Sequence, residues 1–229
     1  MKTAIFKYGD LDCLCCLNPD ADNVAYILTP MPFPDNWLEL TAAKYKTSVV
    51  AIGGMDWDND LTPWPASGQP EGSPDFMGLA SDFLSQLIND VVPSIEHRVG
   101  ISHDTERTLI GISLSGLFTL WQWPQNDMFA NIATLSGSFW YDGFTEWVCR
   151  QSFTGKHGKC FMLLGREEPF TRNRVFRRVG ECTEQIVAHL RQQGVNVEFE
   201  WVPGNHYQDA IPRLNRTFAR LFHPESSTS

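Results

Sequence analysis

Three residues able to carry out a nucleophilic hydrolysis stand far apart in this 229-residue chain, and each follows a short apolar run. The first is Ser113. Thr108 to Ile112 reads as a strand, Gly111-Ile112-Ser113-Leu114-Ser115-Gly116 as a sharp turn, and Leu117 to Trp121 as the helix that leaves it. A serine exposed on such a turn needs small neighbours two residues to either side, because strand and helix approach closely there. Gly111 supplies one; Ser115, followed by Gly116, supplies the other. The helix start also aims the Leu114 amide and a favourable dipole at an oxyanion forming beside the serine. The glycines of Ile52-Gly53-Gly54-Met55, at the end of an earlier strand, let the amide of Gly54 or Met55 act as the second donor.

A serine hydroxyl needs a base to become a nucleophile. His206 fits, because it sits in Pro203-Gly204-Asn205-His206, after the strand-like Val197 to Val202 and before a helical run from Asp209 towards Leu221. An imidazole titrating near neutrality can take the serine proton and return it to a leaving group, provided a carboxylate fixes its tautomer. The other histidines lie in helical runs, polar turns or the tail. The carboxylate is expected in Gly165-Arg166-Glu167-Glu168-Pro169, after the apolar Cys160 to Leu164. Glu168 is the first choice and Glu167 the alternative. Aromatic residues lie near the same strand ends: Phe139, Trp140 and Tyr141 after Asn131 to Leu135, and Trp57 and Trp64 after the glycines. Trp57, Trp64, Phe139 and Trp140 are the candidates for an apolar acyl or aryl pocket. About 24 residues separate the strand at 131–135 from the one at Cys160, too few for a large helical lid. Arg172, Arg174, Arg177 and Arg178 could meet an anionic substrate, but a solvated face is the commoner role for such a run.

These residues need a scaffold that delivers them all to one edge. Apolar runs at Val24 to Thr29, Ser48 to Ile52, Thr108 to Ile112, Asn131 to Leu135, Cys160 to Leu164 and Val195 to Val202 have the length and composition of buried parallel strands. Helical patterns alternate with them at Asp75 to Arg98, where Pro93 should kink the helix, and at Arg177 to Gln193, closed by Gly194. The alternation predicts an α/β fold, a mostly parallel doubly wound sheet flanked by helices, with chemistry at the carboxyl ends of its strands. A single domain over 1–223 and a frayed polar tail over 224–229 are expected. The charge of -9 and the lack of a basic block argue against nucleic acid as a partner. No apolar run is long enough to span a bilayer or to serve as a secretory leader, so a cytoplasmic protein without membrane contact is expected. Six cysteines, three of them crowded at Cys13, Cys15 and Cys16, form no disulfide framework and no spaced metal motif, so no metal site is assigned.

The order serine, acid, histidine is that of the α/β-hydrolases. Within that superfamily the sequence resembles the esterase branch that includes esterase D and the enterochelin (siderophore) esterases. Asn59-Asp60-Leu61-Thr62-Pro63, the elbow from Gly111 to Phe118, the acid loop from Gly165 to Pro169 and Gly204-Asn205-His206 carry the likeness over roughly residues 49 to 220. It is most similar to small bacterial predicted hydrolases in which Thr62-Pro63-Trp64-Pro65 and Ser136-Gly137-Ser138 recur. Arg166 departs from the pattern. The resemblance implies Ser113, Glu168 and His206 as a catalytic triad and hydrolysis of carboxylic esters or thioesters, siderophore lactones among them, without a cofactor. The expected partner is a small-molecule ester. An acyltransferase using the same residues, or a binding module that keeps the fold without catalysis, are the competing readings; the oligomeric state is left open.

Overall fold

The eight strands form one sheet in the order β1-β2-β4-β3-β5-β6-β7-β8. In chain order they are β1 Lys2–Tyr8, β2 Leu11–Leu17, β3 Asn23–Leu28, β4 Ser48–Gly53, β5 Glu106–Ile112, β6 Asn131–Leu135, β7 Lys159–Gly165 and β8 Asn196–Val202. The computed structural model describes residues 1–30 and 32–222, so the tail expected at 224–229 lies outside the described residues. From β4 to β8 across the sheet every pair is parallel, whereas β1 and β2 run antiparallel to their neighbours at the other edge.

Period-two alternation along the parallel strands divides the core into two layers. Val24, Tyr26 and Leu28 of β3, with Cys160 and Met162 of β7, face one helical layer; Ala25, Ile27, Phe161 and Leu163 face the other. On the first side lie α2 (Ala80–Gln86), α3 (Val92–Val99), α4 (Leu114–Gln122), α5 (Phe144–Arg150) and α6 (Val179–Gln192), and on the second α1 (Trp37–Tyr45) and α7 (Ala210–Phe222). Burial on both faces is why these strands read as continuous apolar runs.

Two differences from the sequence expectation have physical causes. The helix expected from Asp75 starts only at Ala80, because Phe76 pairs as an isolated bridge with Ala66. The kink expected at Pro93 is absorbed upstream by a widened π-helical turn, Leu87–Val91, which accommodates the proline's missing N–H at the start of α3. The crowded cysteines are strand residues: Cys13 and Cys15 face one layer and Cys16 the other. Their thiols point to opposite faces, and burial pushes that of Cys13 up to about 11 and that of Cys15 to about 12. Among the described residues no group of three His, Cys, Asp or Glu could hold a metal ion, and no helix is long and apolar enough to cross a membrane.

The stretch 136–158 between β6 and β7 holds only the two-turn α5 and folds against the helical layer, with Phe144 and Val148 in the core. Among the described residues no large lid covers the carboxyl ends of the strands, and the ends of β5, β6, β7 and β8 are where the candidate residues meet.

Candidate active site

Ser113 sits between the end of β5 and the first residue of α4 with φ 59° and ψ −120°, a backbone conformation that L-residues rarely adopt. The turn is held from both sides: the Ser113 amide donates to the Leu135 carbonyl at 3.0 Å, and the Ser138 amide donates to the Ser113 carbonyl at 3.0 Å. Gly111 is required here by space, since a Cβ would lie 2.1 Å from the carbonyl oxygen of Ser115. Ser115 fits because its hydroxyl has backbone partners; it donates to the Leu28 carbonyl at 2.7 Å and accepts from the Ile112 amide at 2.7 Å. It ties the elbow to β3, a bond that glycine could not form. Gly111→Ala should therefore destabilise the fold by about 3 kcal/mol, the upper range for overpacking a close contact. Urea denaturation checks this, and a midpoint equal to wild type would contradict the close approach.

The histidine loop after β8 and the acid loop after β7 converge on this serine. His206 Nε2 lies 3.0 Å from Ser113 Oγ, and His206 Nδ1 lies 2.9 Å from Glu168 Oε2. Ser138 Oγ is 3.2 Å from Ser113 Oγ. Glu168 is 6% exposed, and its second oxygen, Oε1, accepts from the Gly165 amide at 2.8 Å, the Ser136 hydroxyl at 2.6 Å and Arg213 Nη1 at 3.0 Å. Burial alone would raise this carboxyl. The hydrogen bonds from His206, Ser136 and the Gly165 amide, with the charge of the imidazole, outweigh burial and hold it below the usual carboxylate range. Glu167, the alternative acid, points elsewhere: it is exposed and lines the cavity mouth.

A cavity of about 430 Å³ opens above these groups. Ser113, Leu114, Ser138, Glu168 and His206 line its floor, and Phe76, Trp140, Phe170, Phe176 and Tyr207 its walls. Trp140 and Phe176 meet with ring centroids 4.6 Å apart, while Phe170 and Tyr207 are 85% and 90% exposed at the mouth. Of the four aromatic residues expected in the pocket, only Trp140 lines it. Phe139 is buried beneath Gly137 and stacked on Phe144. Trp64 turns into a cluster with Tyr141, Phe144 and Trp147 and donates its indole N–H to the Asp142 carbonyl. Trp57 packs against the main core. The Leu114 position expected of an oxyanion donor is in the lining, but Gly54 and Met55 are not. Gly54 is pressed under the β1–β2 turn, where a Cβ would lie 2.5 Å from the Asp10 carbonyl oxygen, and the Met55 side chain is buried in the core.

Sequence reasoning missed Ser136 and Arg213. Ser136 was visible only as part of the recurring Ser136-Gly137-Ser138. Arg213 carried only a weak signal: a cation in the first turn of a helix opposes the helix dipole, by about 0.3–1 kcal/mol, and this points to no particular partner.

Against known proteins, the profile of a family described as "Putative esterase" matches residues 34–209. The chain belongs to this esterase family. The match contains the serine, the acid loop and the histidine loop, so family membership and the clustered residues concern the same part of the molecule. This esterase-family chain is 29% identical over 164 residues to the uncharacterized protein YbbA of Bacillus subtilis (strain 168), a stretch covering 69% of this chain and 65% of that protein, just under two thirds of the relative's length. Its fold is that of an IroE-like serine hydrolase from Shewanella oneidensis (TM-score 0.74, 17% identity, 96% of this chain and 79% of that one). The siderophore hydrolase EstB from Aspergillus nidulans shares the fold as well (TM-score 0.72, 18% identity, 96% and 94% of the two chains). So does the enterobactin and salmochelin hydrolase IroE (TM-score 0.73, 17% identity, 97% and 95%). These structures have the same α/β-hydrolase architecture as this esterase-family chain.

Proposed function

We propose that this chain is a serine hydrolase that cleaves carboxylic esters or thioesters through an acyl-enzyme on Ser113. One observation carries the reading: a serine on a strained elbow lies 3.0 Å from a histidine whose other nitrogen is 2.9 Å from a buried glutamate, at the floor of an open cavity. In this reading His206 Nε2 takes the Ser113 proton as Oγ attacks the ester carbonyl carbon. The Leu114 amide, at the head of α4 without an intrahelical acceptor, donates to the tetrahedral oxyanion. His206 then gives its proton to the departing alkoxide or thiolate, and Ser113 keeps the acyl group. Water, deprotonated by the same nitrogen, attacks the acyl carbon; the bond to Ser113 Oγ breaks, His206 returns the proton to Oγ, and the acid leaves. Glu168 stays ionised throughout, accepts from Nδ1–H and so keeps Nε2 free as base.

The walls of the cavity suggest the substrate. Trp140, Phe176 and Phe76 offer flat apolar faces beside the serine, suited to an aromatic or bulky acyl group. Fold neighbours are described as siderophore hydrolases and as a ferulic acid esterase, and ester hydrolysis is the reaction class inferred here. Trp140→Ala should raise KM for an aryl-acyl ester by about tenfold, the scale of losing one large apolar contact face, and change that for an acetyl ester by less than about threefold. Equal effects on both esters would assign Trp140 to packing alone. The reading as a whole is tested with a panel of p-nitrophenyl esters: wild type hydrolyses them and Ser113→Ala does not, whereas equal rates would refute it.

A further inference from the structure

A single guanidinium links the acid loop, the end of β6 and the histidine loop. Arg213, 5% exposed, projects from the first turn of α7 beneath the cavity. Its Nη1 donates to Glu168 Oε1 at 3.0 Å and to Ser136 Oγ at 2.5 Å; its Nη2 donates to the Asn205 carbonyl at 2.8 Å and to the Pro203 carbonyl at 3.4 Å. One side chain therefore grips the acid loop, the end of β6 and the histidine loop, the last on both sides of Gly204.

Three local costs converge on this contact. A cation at the head of α7 opposes the helix dipole. Ser136 takes a positive φ of 52°, which is unfavourable for a serine, and its hydroxyl both accepts from Arg213 and donates to Glu168 at 2.6 Å. Gly165 admits no side chain, since a Cβ would lie 2.3 Å from the Gly204 carbonyl oxygen and 2.6 Å from Arg213 Nη2. Structural support alone does not require all three to meet behind one carboxylate. Their joint effect is specific: Oε1 of Glu168 is saturated by three donors, which leaves Oε2 aimed at His206 Nδ1.

Building on the proposed roles of Ser113, His206 and Glu168, we propose that Arg213, with Ser136 as its intermediary, is the positioning residue that orients Glu168 and registers the histidine loop to it. Arg213 touches neither substrate nor reacting atom. It acts through the angle at which the carboxylate meets the imidazole, and a misplacement of about 1 Å at such a contact costs about 100-fold in rate. Lysine keeps the charge but, as a point donor on a flexible stem, cannot hold a carboxylate and two carbonyls in one plane.

The test compares wild type, Arg213→Lys and Arg213→Met in p-nitrophenyl ester hydrolysis, with the downfield proton resonance of the His206 Nδ1–H as a direct signature of the His206–Glu168 hydrogen bond. Arg213→Met is expected to lose about 100-fold in kcat, to keep KM within about threefold and to lose the downfield resonance; Arg213→Lys should lose about tenfold in kcat and retain a weakened resonance. A folded Arg213→Met with kcat and resonance like wild type overturns the proposal, as does a loss confined to KM. Should Arg213→Met fail to fold by circular dichroism, the lysine variant decides: kcat equal to wild type overturns the proposal, and a selective fall in kcat supports it. Wild-type hydrolysis that survives Ser113→Ala refutes the underlying reading instead, so the two failures are distinguishable.

Discussion

Replacing Ser113 by alanine is expected to lower kcat for an activated ester by about 10⁶-fold, replacing His206 by alanine to do nearly the same, and the double variant to be no slower than either single one. That loss corresponds to about 8 kcal/mol of barrier. The non-additivity follows from the 3.0 Å contact between Nε2 and Oγ: serine without the imidazole has no base, and the imidazole without serine has no proton to take. Stability should move little, because Ser113 is half-buried and alanine meets the same φ of 59° as the serine it replaces. Urea midpoints within about 0.5 kcal/mol of wild type would separate lost chemistry from lost folding. Rates that fall independently, multiplying in the double variant, would mean that the two residues do not act as one unit.

The second large effect is expected at Glu168. Glutamine has the same shape but can present an N–H to His206 Nδ1, which leaves Nδ1 as acceptor and moves the imidazole proton to Nε2, where it blocks uptake of the serine proton. A loss of about 10⁴-fold in kcat follows by analogy with the same change in serine proteases. The substitution also carries a pH signature. The folded protein holds the Glu168 carboxyl below its unfolded value despite burial. The ionised form therefore contributes stability that is fully present above the unfolded value and is lost as pH falls through the folded one. The stability gap between wild type and Glu168→Gln should narrow as pH falls below about 5, where the carboxylate takes up its proton. A gap that widens below about pH 5 would mean that the carboxyl is raised instead.

Much of the site was legible because its residues follow strands whose burial on both faces leaves a plain apolar signature. Cys160 to Leu164 and Thr108 to Ile112 are such runs, and the loops after them held the acid and the serine. The antiparallel edge was not legible. β1 carries exposed Lys2, Lys7 and Ile5 on a sheet edge, and β2 mixes cysteines with Asp12, so neither shows a clean apolar run or alternation. The aromatic residues were misplaced for a similar reason. Position after a strand end brings a ring near the cavity, but whether it faces the substrate or the core depends on neighbours distant in sequence. Trp64 finds Trp147 and Phe144, whereas Trp140 finds Phe176, so one turns inward and the other lines the cavity. Arg213 is 45 residues from the carboxylate it meets, and amphipathic patterning alone gives such a residue no partner.

Whether Ser113 is the nucleophile can be read by mass spectrometry after reaction with a fluorophosphonate. A single adduct on the peptide containing Ser113 is expected, absent in Ser113→Ala and formed far more slowly in His206→Ala. An adduct on another residue, or equal labelling of wild type and Ser113→Ala, would rule out Ser113 as the residue that carries the acyl group.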